Sequence, residues 1–459
     1  MLRNPLLVPD LRELIHAGET AALRDFFGDQ HPAHVAEIIE DLGESEGDTA
    51  LTILPDRLRA SVMSYVDPER QVRVVESMSP VEAAALLHLM SHDDRADLVN
   101  RLDEDRVDQI LRNLAHAERE DIRRLASYEE GTAGAVMTTD YATLTPGQTV
   151  HEAIARLRHE APDRETIDYS FVVDPEHRLL GIVPLKRLIM ASPRSRIDVI
   201  MQRDIIVGRV DEDQESVARK IDKYDLYAIP VLDASDMLVG IVTHDDAMDI
   251  LRREQTEDIL KFGGVSTDRE GEDVPYWQGT VVGAVRRRIK WLLMLFLAEN
   301  FTYPVFQRFK WIEGDQYYPA LGFFVALMIG TGGNAGSQSV GTIIRGMALG
   351  EIGTKDLFRV VGREVLTGLM LGLLLGLFGF AYAAFYRQQP WAIASVIGLT
   401  ILGICVWANF VGSVVPILAR KCGIDPAVIS APFITTLVDA TGLVIYYSIA
   451  ILILIRLGL

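Results

Sequence analysis

Polar and apolar positions follow three different rhythms along the chain. Across residues 10–128, apolar side chains recur three to four apart, as in Ala96, Val99, Leu102 and then Val107, Ile110, Leu111, Leu114, the repeat of one helix face. Asp67-Pro68-Glu69 and Ser79-Pro80-Val81-Glu82 each read as an N-cap followed by proline at the first helical position. Ser79 with Glu82 also fits a capping box. Helices of about a dozen residues cannot each bury a face alone. The pattern therefore predicts a stacked helical array.

From residue 132 to 253 the rhythm changes. YSFVVDPEHRLLGIVPLKRLI (169–189) matches YAIPVLDASDMLVGIVTHDDAM (227–248), with Asp174 and Gly181 lying 59 residues before Asp233 and Gly240. Each copy reads as an apolar strand, a polar turn, a second strand with Leu-x-Gly-Ile-Val, and a helix. Val136-Met137 and Ile200-Met201 open the two copies. The pair resembles tandem cystathionine-β-synthase (CBS) domains, cytosolic modules that pair into one unit and sense adenine nucleotides or ions. A polar, helix-favouring segment, Asp245 to Phe262, follows and stops at Gly263-Gly264, a natural helix end.

The third rhythm is continuous apolarity. Spans are predicted at 289–307, 318–342, 360–385, 391–418 and 432–456, each long enough for a hydrocarbon core of roughly 30 Å. Arg286, Arg287, Arg288 and Lys290 precede the first, Arg345, Lys355, Arg359 and Arg363 surround the second loop, and Arg420 and Lys421 the fourth. The alternate loops hold Arg308, Lys310 and Arg387, with Arg456 at the far end. The positive-inside rule then predicts a cytoplasmic N-terminal part and an outside C-terminus in a multi-pass cell (inner) membrane protein. The expected domains are 1–128 (acidic, helical), 129–253 (CBS pair), 254–285 (connecting helix and linker) and 286–459 (transmembrane pore domain).

The net charge of −19 belongs to the soluble part and argues against nucleic acid as a partner. It suits divalent cations and equally suits ordinary solubility. Cys405 and Cys422 make neither a disulfide framework nor a zinc site. The N-terminal MLRNPLLVPDLRELIHAG lacks the apolar core of a signal peptide, and the chain shows no nucleophile–base pair, zinc spacing or P-loop, so an enzyme is not expected.

Asp439 is the lone carboxylate between Pro432 and Ile455. At the centre of a membrane helix such a group costs roughly 2.5–3.5 kcal/mol, so it faces a cavity or an ion path. The alternative is a packing Asp hydrogen-bonded to a neighbouring helix. The second span ends in IGTGGNAGSQSVGTIIRG (329–346); its glycines permit close helix packing, and Asn334, Ser337, Gln338 and Ser339 offer neutral oxygens to a path. Taken in order, the helical domain, the CBS pair, the connecting helix, GTGGNAGSQ and ITTLVDATG resemble an MgtE-type magnesium channel over almost the whole chain.

That resemblance implies a homodimer with a five-helix transmembrane domain per subunit and a Mg2+ pore on the two-fold axis. Asp439 falls on the pore aspartate, and Asn334 lines the pore. It also implies closure when cytoplasmic Mg2+ fills sites among the acids Asp93, Asp97, Glu215, Asp225, Asp245, Asp246, Asp249, Glu254, Glu257, Asp258 and Asp425. Asp93 and Asp97 share one helix face, as do Asp245 and Asp249; taken singly, each acid is also explained as a solvated surface. ATP is a further candidate ligand. Thr243-His244-Asp245-Asp246 fits the Ser/Thr-x-x-Asp pattern that holds ribose hydroxyls, Lys186 and Arg187 stand at the matching place in the first copy and could meet a phosphate, and Tyr169 either stacks a base or packs in its strand. Glu299, mid-way through the first span, and Glu364, beside Arg363, are further acids without an assigned role. The functions that compete with a Mg2+ channel are a broader divalent-cation transporter or exchanger (Mn2+, Co2+, Ca2+) and a membrane-tethered ion sensor.

Overall fold

The computed structural model describes residues 7–161, 164–266, 280–314 and 320–456. Of the expected connecting helix and linker (254–285), residues 267–279 lie outside the described residues. The chain forms two compact units, 1–251 and 252–459.

In the first unit, ten helices run from α1 (Val8–Ala17) to α10 (His116–Leu125). Their starts follow the predicted chemistry. Asp67 Oδ1 accepts the amides of Glu69 and Arg70 at 3.0 and 3.2 Å. Ser79 and Glu82 close the capping box, with Ser79 N donating to Glu82 at 2.9 Å. Each such cap contributes about 1 kcal/mol. Leu87, Leu98, Val99, Leu102, Ile110, Leu111 and Leu114 are buried in the shared core. Ala96, on α8 (His92–Arg101), instead packs with Leu125 and with Met137, Val217 and Val242 of the CBS part. One helix face thus joins the array to the CBS pair.

The CBS part holds two three-stranded sheets, β1 (Tyr141–Leu144), β2 (Thr166–Val173), β3 (Leu179–Pro184) and β4 (Gly208–Arg209), β5 (Ala228–Leu232), β6 (Leu238–Thr243). In each, a parallel first strand precedes an antiparallel hairpin. The repeat extends to single atoms. Asp174 Oδ1 accepts the Arg178 amide at 2.7 Å and Asp233 Oδ1 the Met237 amide at 2.9 Å. The matched glycines explain why the copies pair. A Cβ on Gly181 would lie 2.8 Å from Met201 Sδ, and one on Gly240 would lie 2.5 Å from Met137 Sδ. Each hairpin therefore seats the opening methionine of the other copy. Helices α11 (Val150–Glu160), α12 (Leu185–Met190), α13 (Ile197–Ile200) and α14 (Gln214–Tyr224) complete the pair, and α15 (His244–Phe262) continues from β6.

The second unit takes in the last part of α15, then α16 (Val281–Glu299), α17 (Thr302–Gly314), α18 (Ala320–Ala348), α19 (Leu357–Ala381), α20 (Trp391–Lys421) and α21 (Ala431–Arg456). Among the described residues, four helical stretches are long and apolar enough to cross a membrane: 320–348, 354–386, 391–421 and 431–453. The expected span at 289–307 is not one helix. It breaks at Asn300–Phe301, where the Pro304 ring removes a donor and crowds the carbonyl four residues back. Glu299 accordingly ends α16, at this break. Helices α19 and α20 meet through glycines: a Cβ on Gly376 would lie 2.5 Å from the Gly398 carbonyl, and one on Gly372 2.9 Å from Leu402. Close small-residue packing of this kind drives helix association in lipid.

Candidate functional site

Two groups of acids emerge, one in each unit. In the second unit, Asp439 lies eight residues into α21, about 12 Å along its axis. The side chain is half-buried, and its Oδ1 is buried with no hydrogen-bond partner among the described residues. Gly333 of α18 faces it, since a Cβ there would come within 3.7 Å of that Oδ1 and 3.2 Å of Thr435 Cγ2. Glycine-rich α18 thus brings its backbone against the carboxylate. Thr435 and Thr436 turn their hydroxyls to the Pro432 carbonyl at 2.7 and 3.0 Å, and Thr441 accepts the Trp407 indole at 2.7 Å.

The predicted oxygens of α18 divide by face. Asn334 and Gln338 are exposed, in line with Thr342 and Arg345. Ser339 is buried and donates to Glu364 Oε2 at 2.9 Å, which gives Glu364 a partner across the helices that its position beside Arg363 does not announce. Ser337 is half-buried.

In the first unit, Asp93 and Asp246 approach one another from the helical array and from the start of α15. Asp94, Asp245 and Glu165 join them. Burial raises the Asp93 carboxyl well above the ordinary range, and the charges of Asp246, Asp94 and Glu165 raise it further. Burial also raises Asp246; the Thr243 hydroxyl hydrogen bond opposes this, Asp245 and Asp94 reinforce it, and the result is about 6. Glu165 is pushed up to about 7 by burial and by Asp246, Asp245, Asp140 and Asp94. Crowded acids that hold protons this firmly are each short of a counter-charge. No group of three or more His, Cys, Asp or Glu among the described residues stands in a metal-ligand arrangement. Asp94, Glu165 and Asp140 are additions to the predicted set, and only the helix-start position of Asp94 hinted at one of them.

His92 sits beside this cluster. Its Nδ1 lies 2.9 Å from Asp121 and its Nε2 2.9 Å from Asp140, while Arg95 reaches Asp121 at 2.9 Å. Burial disfavours the imidazolium, but the two carboxylates outweigh it and raise the His92 pKa. Burial likewise opposes the Asp121 charge, yet His92, Thr139 and Arg95 hold that carboxyl far below its usual range. The ring ties the helical array to the first CBS copy.

The other predicted acids are dispersed. Glu215 opens α14 and pairs with Arg219, whereas Asp225 caps the far end in the left-handed region at φ 51°. Ten residues of helix separate them by about 15 Å. Asp249 is exposed and Asp97 half-buried. Glu254 and Asp258 lie half-buried on α15, as does Glu257. Lys261 bridges Glu257 and Asp425 at 2.8 and 2.9 Å. Burial works against the ammonium, but those carboxylates raise its pKa overall. Asp425 Oδ1 also caps the Ala427 amide at 2.9 Å. For the nucleotide candidates, Thr243 hydrogen-bonds Asp246, Lys186 and Arg187 are exposed on α12, and the Tyr169 ring lies 5.9 Å from that of Tyr227.

A helical array, a pair of three-stranded domains and four long apolar helices among the described residues follow one another along the chain. A family model described as a divalent cation transporter matches residues 325–449, one described as the MgtE intracellular N domain matches 30–131, and the CBS domain matches 133–194 and 197–253. The magnesium transporter MgtE of Thermus thermophilus is 38% identical over 98% of either chain, and that of Enterococcus faecalis 36% identical over 72% of this chain and 71% of its own. The crystal structure of the cytosolic domain of the Mg2+ channel MgtE in complex with ATP superposes with a TM-score of 0.51 at 37% identity, covering 53% of this chain and 100% of that one. The chain belongs to the MgtE family of bacterial magnesium transporters.

Proposed function

We propose that this protein is a homodimeric Mg2+ channel of the cell membrane, closed from the cytoplasmic side by the ion it passes. The observation that carries the reading is the Asp439 carboxylate, buried at Oδ1 without a hydrogen-bond partner among the described residues beside Gly333. The exposed Asn334 and Gln338 of α18 support it, because polar side chains facing lipid are costly whereas the same face lines a wet path readily. A second copy across a two-fold axis supplies a second Asp439. Two carboxylates hold Mg2+ through its tightly bound water while still releasing it, which a full cage of direct ligands would not allow.

In this reading α16 and α17 together make the fifth crossing, so the N-terminal part is cytoplasmic and the C-terminus outside. The basic residues Arg286, Arg287, Arg288 and Lys290, Arg345, Lys355 and Arg420 then fall on the cytoplasmic side. The Asp93–Asp246 cluster and the acids of α15 are the regulatory side. Bare, they repel; bridged by Mg2+, they favour one arrangement, which is the differential binding a ligand-controlled equilibrium requires. The Thr243–Asp246 pair with Lys186 and Arg187 is the proposed ATP seat, supported by the nucleotide in the relative's cytosolic domain.

Patch recording with Mg2+ varied on the cytoplasmic face tests permeation and gating together. Inward Mg2+ current that declines as cytoplasmic Mg2+ rises is expected. A non-conductive flux that depends on a second ion sinks the channel reading in favour of exchange, and equal currents of Mn2+, Co2+ or Ca2+ favour a broader divalent carrier.

A further inference from the structure

We infer that Trp291 is a positioning residue that couples the end of the connecting helix to the start of the helix bearing Asp439. The inference rests on the gating reading above and adds to it the physical link.

Helix α15 closes in a tight turn. Gly264 N donates to the Lys261 carbonyl at 2.9 Å and Val265 N to the Leu260 carbonyl at 2.9 Å, with Gly264 in the left-handed region at φ 71°. This is the Schellman pattern that needs glycine. Glycine is needed there for a second reason. A Cβ on Gly264 would lie 2.4 Å from Trp291 Cδ1, so the indole of α16 lies in van der Waals contact with the turn. One residue pair further on, Ser266 N donates to the Arg287 carbonyl at 3.1 Å, which ties the exit of the turn to the same helix.

The other edge of the indole reaches α21. Trp291 Nε1 donates to Ser430 Oγ at 3.0 Å. Ser430 is fully buried and immediately precedes α21, where its carbonyl accepts the amides of Phe433 and Ile434 at 3.0 and 3.2 Å and its hydroxyl accepts Phe433 N at 3.4 Å. The indole is half-buried and the hydroxyl fully buried, and a buried hydroxyl is costly to leave unpaired. The turn therefore cannot move far from the indole, nor the indole from the N-cap, without exposing or orphaning a group.

Two neighbouring contacts give the same end of α15 further purchase. Phe262 lies 3.3 Å from where a Cβ on Gly341 of α18 would stand, and Lys261 reaches Asp425. Of these contacts only Trp291 touches both the turn and the N-cap of α21. A displacement of α15 is thereby delivered to the helix on which Asp439 sits two turns deeper, and the docked arrangement is assigned to the closed gate.

Cytoplasmic Mg2+ titrations of single-channel current test this in the full-length protein, with Trp291→Phe, Ser430→Ala, Ser430→Thr and the Trp291→Phe/Ser430→Ala double variant. Trp291→Phe keeps a ring of similar shape and loses only the donor. It is expected to raise the half-inhibiting Mg2+ about fivefold, the equivalent of about 1 kcal/mol, with unitary conductance unchanged. Ser430→Thr keeps the acceptor and should behave as wild type. The double variant should be no worse than Ser430→Ala, because both changes remove one bond. An unshifted or lowered half-inhibiting concentration in Trp291→Phe overturns the inference, as does additivity in the double variant. Reduced unitary conductance with unaltered inhibition overturns it too, by making the tryptophan a packing residue of the pore. Inhibition by Mg2+ that is absent already in the wild type overturns the gating reading and this inference with it.

Discussion

Asp439 and the Asp93–Asp246 cluster present carboxylates in opposite ways. Asp439 is the one carboxylate of an apolar helix, held against glycine backbone, with its Oδ1 unpartnered among the described residues. Asp93 and Asp246 stand in a crowd, where the charges of Asp94, Asp245 and Glu165 help raise the pKa values of that pair. A lone acid in a pore gains a passing cation's attraction without holding it, because few ligands displace its water. A crowd converts the arrival of the same cation into a change of arrangement, because mutual repulsion is relieved only when the ion is present. The two regions differ in the number of charges and not in their kind.

The largest effect separates the two directly. Asp439→Asn removes the one carboxylate of its helix while keeping shape and hydrogen-bonding capacity. Mg2+ current should fall about 100-fold or more, the equivalent of about 3 kcal/mol of lost attraction, with the assembled protein eluting unchanged on gel filtration. Current within a few-fold of wild type would remove Asp439 from the ion path.

Neutralising the crowd should leave permeation intact and weaken control. Asp93→Asn with Asp246→Asn is expected to raise the half-inhibiting cytoplasmic Mg2+ about tenfold, within the usual range of coupling energies, at unaltered unitary conductance. A loss of conductance instead would merge the two regions into one function.

How much of this the chain announces in advance depends on how local each signal is. The capping box Ser79–Glu82, the stop at Gly263-Gly264 and the matched Asp174/Asp233 turns are set by neighbours in sequence, and the structure has each where the pattern puts it. The isolation of Asp439 is equally local, being a property of one apolar run. Glu165 and Asp140 escape such a reading because they reach the cluster from β-strand ends of the first CBS copy, far from Asp93 in sequence. His92 is a lone histidine until folding sets Asp121 and Asp140 on its two nitrogens. The break after Glu299 is different. Pro304 was the available signal, and the apolar run around it conceals that eight residues after Lys290 are too few to cross a bilayer. Glu215 and Asp225 stand at opposite ends of α14, a separation that follows from their spacing in sequence.

The smallest effect is the pH dependence of the crowd, and its sign follows from the pKa directions. Asp246 at about 6, Glu165 at about 7 and the raised Asp93 all bind protons more tightly folded than unfolded. Between roughly pH 4 and 7 the folded form thus holds more protons, so its stability is present at the acid end and declines as pH rises. His92, also raised, adds a loss of the same sign above its unfolded value. The depressed Asp121 contributes stability that is lost only at much lower pH, outside this window. Mg2+ and protons compete for the same carboxylates. Protection of residues 1–251 from protease by Mg2+ should therefore be several-fold larger at pH 7.5, above the Asp246 and Glu165 values, than at pH 5.5, below both. Limited proteolysis of the full-length protein at both pH values, with and without Mg2+, measures the difference. In Asp93→Asn/Asp246→Asn the pH dependence should flatten, because two of the carboxyls with raised pKa values no longer titrate. Equal protection at the two pH values would detach the cluster from Mg2+ binding and leave its acids as charges that merely share a surface.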